Sequence, residues 1–212
     1  MPSMRFMLLV AGVLVLGLTA GPASAADNPD IAYAKRMFGG LAPKAKGYAC
    51  FVRRYDAAHM AEHPKQKVTA MKVLITAETD PEDKVLQYSF RLGVNFRDRP
   101  GDFDSSGGCG HTAAARAPEP DDPVLAAGVD FGCSVDCDGG GMSVKLTNGD
   151  GSLIVKPLDS IRIWKGKDFD ESATTALQAG ADDKIFRLDR AKPEECASLV
   201  ADRKELAALR HK

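Results

Sequence analysis

Features that would assign a function directly are scarce in this sequence. The charges nearly cancel, with 28 basic and 29 acidic residues, so there is no charge excess to favour nucleic acid or an anionic membrane as a partner. The one tryptophan, Trp164, lies in no recognisable aromatic box. After residue 18, no apolar run approaches the ~20 residues that a membrane-spanning helix needs. We therefore predict no nucleic-acid partner and no membrane span in the mature chain.

Catalytic arrangements are also scarce. The chain lacks a Gly-x-Ser-x-Gly elbow, a His-Glu-x-x-His zinc helix and a glycine-rich phosphate loop. His59 and His63 fall in a polar stretch and are expected to face solvent, and His211 is next to the last residue. Cys109 and His111 are close enough in sequence for a thiol–imidazole pair, but a structural disulfide is the favoured role of Cys109. The sequence names no catalytic residue and no cofactor, and it favours a protein that is not an enzyme.

The first 25 residues have the three parts of a secretory signal peptide. Arg5 gives a short positive region, residues 6–18 form an uninterrupted apolar run, and Ala23-Ser24-Ala25 is a small-residue cleavage pattern. Because Arg5 is the only charged residue in this leader, the mature chain has 27 basic and 29 acidic residues, a net charge of −2. The sequence predicts a periplasmic or secreted protein, cleaved near Ala25.

Period-two alternation of apolar and polar residues is the strongest structural signal. It is strict over residues 85–97 and looser over residues 68–79. Such alternation is typical of strands with one buried and one solvated face. Asp80-Pro81 supplies turn residues between the two runs. The pattern predicts a long hairpin of Val68–Thr79 with Lys84–Arg97.

A second alternating run, Leu125–Cys137, predicts another strand, which ends at the glycine-rich turn Asp138–Gly141. Shorter runs predict strands further along the chain, and Asn148-Gly149 is a strong hairpin-turn signal between two of them. These shorter strands are expected near residues 142–146, 153–156, 161–163 and 184–188. Tyr48–Tyr55 fits either a strand or a buried helical turn.

Helices are expected only near the two ends of the mature chain. Residues 28–40 have a good N-cap, a proline at the first helical position and a Gly-Gly stop. Pro193 begins a second helix, with Cys196, Leu199 and Val200 on its inner face.

The strands follow one another without regular helices between them, which favours antiparallel pairing. We predict a mainly β (α+β) fold, namely an antiparallel sandwich or partly closed barrel of six to eight strands with short N- and C-terminal helices. In domain terms, residues 1–25 are the signal peptide and residues 26–67 are a helical or irregular segment packed on the domain. Residues 68–212 are the antiparallel β domain with its C-terminal helix.

The five cysteines predict disulfides, because the compartment is oxidising. Cys133 and Cys137 lie four residues apart on one strand face, roughly 13 Å at about 3.3 Å per residue. A disulfide allows only about 4.4–6.8 Å between α-carbons, so they do not bond each other unless the strand breaks. Cys109 is the natural partner for one of them, and Cys50 with Cys196 would tie the terminal regions together. Because the number of cysteines is odd, at least one thiol is left without an intramolecular disulfide partner.

A metal site is the alternative use of these side chains. Cys109, His111, Cys133 and Cys137 are four plausible zinc ligands, and Asp136 with Asp138 could form a weak cation loop. Strand geometry separates two of the cysteines, and oxidation competes for the thiols. A metal site is therefore less favoured than disulfides as the role of these cysteines.

These observations predict an exported β-rich protein whose molecular function the sequence does not specify. The favoured interpretation is a non-catalytic binding or structural module of the cell envelope, with an unknown protein or small-molecule ligand. Its ligand-facing parts would be the long loop 98–124 and the Asp138–Gly141 turn, because loops on a rigid scaffold usually carry recognition. The alternative is a metal-binding or metal-dependent protein that uses Cys109, His111 and nearby thiols or carboxylates.

Overall fold

A computed structural model describes residues 29–39, 46–111, 131–147, 149–166 and 169–210. The predicted signal peptide, the first part of the predicted strand 125–137, the turn residue Asn148 and His211 lie outside these residues. Within them, no helix is long and apolar enough to cross a membrane.

The described residues form nine strands, three short α-helices and two 3-10 segments. The 3-10 segments are Glu171–Ala173 and Pro193–Leu199, and the other elements in chain order are α1 Pro29–Phe38, β1 Gly47–Arg54, α2 Ala57–Glu62, β2 Val68–Thr79, β3 Leu86–Phe96, β4 Phe103–His111, β5 Phe131–Ser134, β6 Gly140–Thr147, β7 Ser152–Lys165, β8 Thr174–Gln178, β9 Phe186–Ala191 and α3 Arg203–Arg210.

All strand pairings are antiparallel, and they nearly close a ring. The strands run in the order β6-β5-β4-β3-β2-β1-β9-β7. The partial closure arises because the first half of β7 pairs with β9 on one side and with β6 on the other. The second half of β7 pairs with β8 on one edge, and its last residues, Trp164 and Lys165, pair with the start of β4 on the other. The predicted mainly β, partly closed architecture is confirmed, with nine strands in place of six to eight.

Alternate residues of the strands fill the inside of the ring. The predicted hairpin is confirmed: β2 covers the predicted residues, and β3 lies within the predicted second run. Its inward side chains are buried, as the alternation requires. The largest fully buried side chains of the interior include Phe51, Phe90, Phe131, Phe186, Met71, Met142, Leu92 and Leu153.

Helix α1 packs against one end of this interior. Tyr33 and Met37 of α1 are buried, and the Tyr33 ring stacks on Phe131 with 4.6 Å between centroids. Arg190 of β9 donates hydrogen bonds to the carbonyl oxygens of Met37 (2.9 Å) and Arg36 (3.3 Å). A cation at the C-terminus of a helix satisfies its last carbonyls and its dipole. This contact fixes α1 to the barrel.

A second apolar layer lies outside the ring, where residues 193–210 cover β1, β2 and β3. Cys196, Leu199, Val200 and Leu209 are buried there, as the sequence predicted for the first three. Gly93 of β3 leaves the space for Leu199, because a Cβ at Gly93 would lie 2.6 Å from Leu199 Cδ2. The segment differs from the predicted single helix, since it divides into a 3-10 turn and α3.

An ion-pair network holds α3 at the edge of this layer. Glu205 accepts two hydrogen bonds from the Arg91 guanidinium, at 3.0 and 2.8 Å, and lies 3.1 Å from Lys46 Nζ. Burial raises the pKa of Glu205, but hydrogen bonds from Arg91 and Lys46 outweigh it and hold that pKa below its ordinary value. The carboxylate is therefore an integral part of the packing.

The predicted loop 98–124 is wrong in its first half, because β4 occupies residues 103–111. The strand is hard to recognise in sequence because glycine and serine fill most of its positions. Gly107 has a packing reason, since a Cβ there would overlap the backbone carbonyl of Ser134 in β5. Bare backbone lets the two strands approach closely.

Two further strand boundaries differ from the prediction. β5 ends at Ser134 rather than at Cys137, because the chain enters a turn with positive φ at Cys137 and Asp138. β7 is one strand of 14 residues rather than two. Of the two alternatives for residues 48–55, the strand is confirmed, since residues 47–54 form β1, which lies in the same sheet between β2 and β9.

Candidate binding cleft

The cysteines occupy three different environments. Cys50 and Cys196 form a disulfide that joins β1 to the outer layer, with 5.9 Å between their α-carbons. Cys109 and Cys133 are direct register partners on β4 and β5 and form the second disulfide. Cys137 is a free, exposed thiol. The distance between Cys133 and Cys137 was estimated from the sequence for one continuous strand. Because β5 ends at Ser134, that estimate does not apply to the structure.

The candidate metal ligands are not brought together as ligands among the described residues. Cys109 and Cys133 are bonded to each other, so neither sulfur is a thiolate here. Asp136 and Asp138 are exposed in the turn between β5 and β6. The side chain of His111 lies outside the described part of the chain. Across that part, no group of three or more His, Cys, Asp or Glu residues is placed to hold a metal ion.

The turn from Val135 to Gly139 forms one wall of a shallow polar cleft, and β8 forms the other. Residues of β7 lie between the two walls. The cleft has a volume of about 180 Å³ and is lined by Asp138, Gly139, Ser160, Arg162, Thr174, Thr175 and Ala176. Part of the turn that we expected to face a ligand thus borders a cleft.

Arg162 is the central side chain of this cleft. Its neighbours Ile161 and Ile163 are buried inside the barrel, so the alternation of β7 turns Arg162 outward. Its Nη2 donates to the carbonyl oxygen of Cys137 at 2.6 Å, and its Nη1 lies 3.4 Å from that of Asp136. These contacts use part of the five N–H donors of a guanidinium.

The backbone around Arg162 is held from both sides. Its own N–H donates to the carbonyl of Gly139 at 2.7 Å, and its carbonyl accepts from the Ser105 hydroxyl at 2.7 Å. On the other edge of β7, Arg162 is the register partner of Ala176 in β8. Because Ala176 has a small side chain, the cleft stays open above it.

Glycine is required where the turn rests on β7. Gly140 has φ +75°, and a Cβ at this position would overlap the carbonyl oxygen of Ser160. A Cβ at Gly139 would lie 2.5 Å from Val135 Cγ1. The glycine run therefore has a geometric role, which is to let the turn lie against the strand that carries Arg162.

The two histidines expected to face solvent lie at α2. His63 is exposed, and His59 is partly buried between Tyr55 and His63, with ring centroids 4.6 and 4.4 Å apart. The Nε2 atom of His59 lies 2.9 Å from Oε1 of the buried Gln66. Since the Gln66 amide nitrogen donates to the Val68 carbonyl, its oxygen is left to accept from His59. Here the ring has a structural role.

Sequence reasoning did not identify Arg162, Ser160 or the β8 residues of the cleft. They belong to no motif, and only the register of β7 with β8 and the turn brings them together. A basic residue in an otherwise alternating strand was the one available signal.

No family model matches the chain, and no curated protein or solved structure matches it either.

Proposed function

We propose that the chain is an exported, non-catalytic binding or structural module of the cell envelope, and that its partner contacts the cleft around Arg162. The observation that carries the proposal is the construction of this cleft. A guanidinium is held in place by two backbone carbonyls, on a scaffold with two disulfides. Preorganised groups on rigid elements bind with less loss of conformational freedom.

Export is supported by two independent features. The first 25 residues have the parts of a secretory leader, and the two disulfides suit an oxidising compartment. The periplasm and the extracellular space both fit these features.

The size of the cleft favours a protein partner over a small-molecule ligand. Its volume of about 180 Å³ is below the ~300–1,000 Å³ that is typical of small-molecule sites. It accommodates the end of one polar side chain rather than a whole ligand. Ser160 also lines the cleft, whereas the Thr174 hydroxyl donates to the Glu171 carbonyl and the Thr175 hydroxyl accepts from Arg99. The remaining N–H donors of Arg162 suit a carboxylate or amide group of a partner.

The free thiol provides a direct test. Cys137 is exposed beside the cleft, so benzophenone maleimide can be attached to the native chain without mutation. Photolysis in envelope extract is expected to give a discrete adduct, which is lost when the chain also carries Arg162→Ala. The matched control is Cys137→Ser with Glu62→Cys, which places the same probe on exposed α2. Identical adducts from both positions, or no effect of Arg162→Ala, would contradict the proposal, and turnover of a substrate would contradict its non-catalytic part.

A further inference from the structure

The cleft is lined by side chains of opposite charge. Arg162 belongs to β7, which forms the floor, and Asp138 belongs to the turn that forms one wall. A guanidinium only donates hydrogen bonds, and a carboxylate only accepts them. None of the ion pairs among the described residues joins Asp138 to Arg162. Both charges are therefore available to a third group that enters the cleft.

The hydroxyl groups of the cleft do not select between kinds of ligand. Those of Thr174 and Thr175 are already engaged within the chain. The Ser160 hydroxyl lines the cleft and can either donate or accept a hydrogen bond. The guanidinium and the carboxylate therefore decide which ligand group the cleft favours.

A charged ligand group meets one unfavourable neighbour in this cleft. A carboxylate pairs with Arg162 but comes close to Asp138, and an ammonium group has the opposite difficulty. An exposed charge pair changes affinity by up to about fivefold, so each of these groups loses through one contact part of what it gains through the other. A neutral group that both donates and accepts hydrogen bonds avoids the repulsion, and a carboxamide is such a group.

The placement of the two charges favours a primary amide over a secondary one. The floor and the wall adjoin, so both hydrogen bonds must come from one edge of the ligand group. A primary carboxamide has its C=O and one N–H on the same edge. The C=O and N–H of a trans peptide point in opposite directions, so a peptide bond does not reach both charges from one edge.

We propose that the cleft binds the primary carboxamide of an asparagine or glutamine side chain of the partner. The amide oxygen accepts from Arg162, and the amide nitrogen donates to Asp138. This inference rests on the proposed function, because it names the group through which the partner enters the cleft. The volume of about 180 Å³ suits the end of one such side chain, being smaller than the ~300–1,000 Å³ of a typical small-molecule site.

Titration of the ¹⁵N-labelled chain with propionamide, propionate and N-methylacetamide tests the inference. The amide signals of Gly139 and Ala176, which line the cleft, report binding in two-dimensional NMR spectra. Cys137→Ser is present in every chain so that no dimer arises from oxidation. Ligands of this size are expected to bind with a Kd on the order of 10–100 mM. At pH 7 and low ionic strength, propionamide is expected to bind about threefold more tightly than propionate, and more tightly than N-methylacetamide.

Asp138→Asn is the decisive variant, because asparagine tolerates the positive φ of 59° at this position. Without the carboxylate, propionate is no longer repelled, and the preference for propionamide is expected to fall about threefold or more. Asp136→Asn is the matched control, since it removes an exposed charge from the same turn but not from the cleft lining. It is expected to leave the preference unchanged, whereas Arg162→Ala is expected to abolish the shifts.

Three results would overturn the inference: no shift with propionamide, tighter binding of propionate or N-methylacetamide, or a preference that Asp138→Asn leaves unchanged. L-Glutamine separates a protein side chain from a free amino acid, and it is expected to bind no more tightly than propionamide. Binding about tenfold tighter would identify a free amino acid as the ligand and would also overturn the inference. Failure of the proposed function is a different result, because it appears as the absence of an envelope photoadduct.

Discussion

The two disulfides are expected to contribute unequally to stability, because they close loops of different length. The Cys50–Cys196 bond spans 146 residues of sequence, and the Cys109–Cys133 bond spans 24. A cross-link stabilises mainly by restricting the unfolded chain, and its effect grows with the logarithm of the loop length. This relation gives about 5 kcal/mol for the long loop and about 3.5 kcal/mol for the short one.

The measurement must separate the cross-link from the loss of buried sulfur. One variant carries Cys109→Ala, Cys133→Ala and Cys137→Ser, and keeps only the long-range disulfide. The other carries Cys50→Ala, Cys196→Ala and Cys137→Ser, and keeps only the short-range one. Urea unfolding of each variant with and without reductant gives the contribution of one bond, because the side chains are otherwise unchanged.

The expected result is a larger loss of unfolding free energy on reduction of the Cys50–Cys196 bond, by about 1.5 kcal/mol. Since Cys50 and Cys196 are almost fully buried, their reduction also places two thiols in a space packed for a disulfide, which acts in the same direction. An equal or larger loss on reduction of Cys109–Cys133 would refute the loop-length reasoning.

Three further predictions concern single residues. Glu205→Gln removes the carboxylate bound by Arg91 and Lys46, and we expect urea unfolding at pH 7 to show a loss of about 2 kcal/mol. Because the folded-state pKa of Glu205 is lowered, this contribution is present above the unfolded pKa and disappears as pH falls through the folded pKa. A gap between wild type and variant that persists at pH 2 would contradict the assignment. Gly140→Ala is expected to cost about 3 kcal/mol or more, since it combines a positive φ with overlap at the Ser160 carbonyl. Gly149→Ala is its control, with φ +60° and open space, and about 1 kcal/mol is expected; equal losses in thermal unfolding would rule out the steric argument. Ellman's reagent is expected to titrate one thiol per chain, Cys137, in both native and denaturing buffer without reductant, and three thiols in denaturant would contradict the disulfide assignment.

The sequence was most informative where one face of a strand is buried and the other is exposed to solvent. The β2–β3 hairpin follows its alternation almost residue for residue, because a one-residue slip would turn every apolar side chain outward. It was least informative at β4, where Gly107 allows close strand approach and contributes no apolar side chain to the alternation. Ring closure was also beyond reach, since it depends on non-local pairs such as Cys50 with Ala191.

The cleft shows the same limit more sharply. Asp138 and Gly139 belong to a turn that the glycine run indicated, but Arg162 enters only through the register of β7 with that turn. Pairings between distant residues are set by the whole fold, and a short sequence window does not contain them.

The late position of β9 has a consequence for biogenesis. β9 supplies the neighbour that β1 needs on its second side, and it completes the ring between β1 and β7. A nascent chain lacking residues 186–191 therefore keeps β1 and β7 as open edges, and Cys50 waits for a partner that is synthesised 146 residues later. Synthesis from the N-terminus therefore leaves these edges uncovered until nearly all of the described chain has been made.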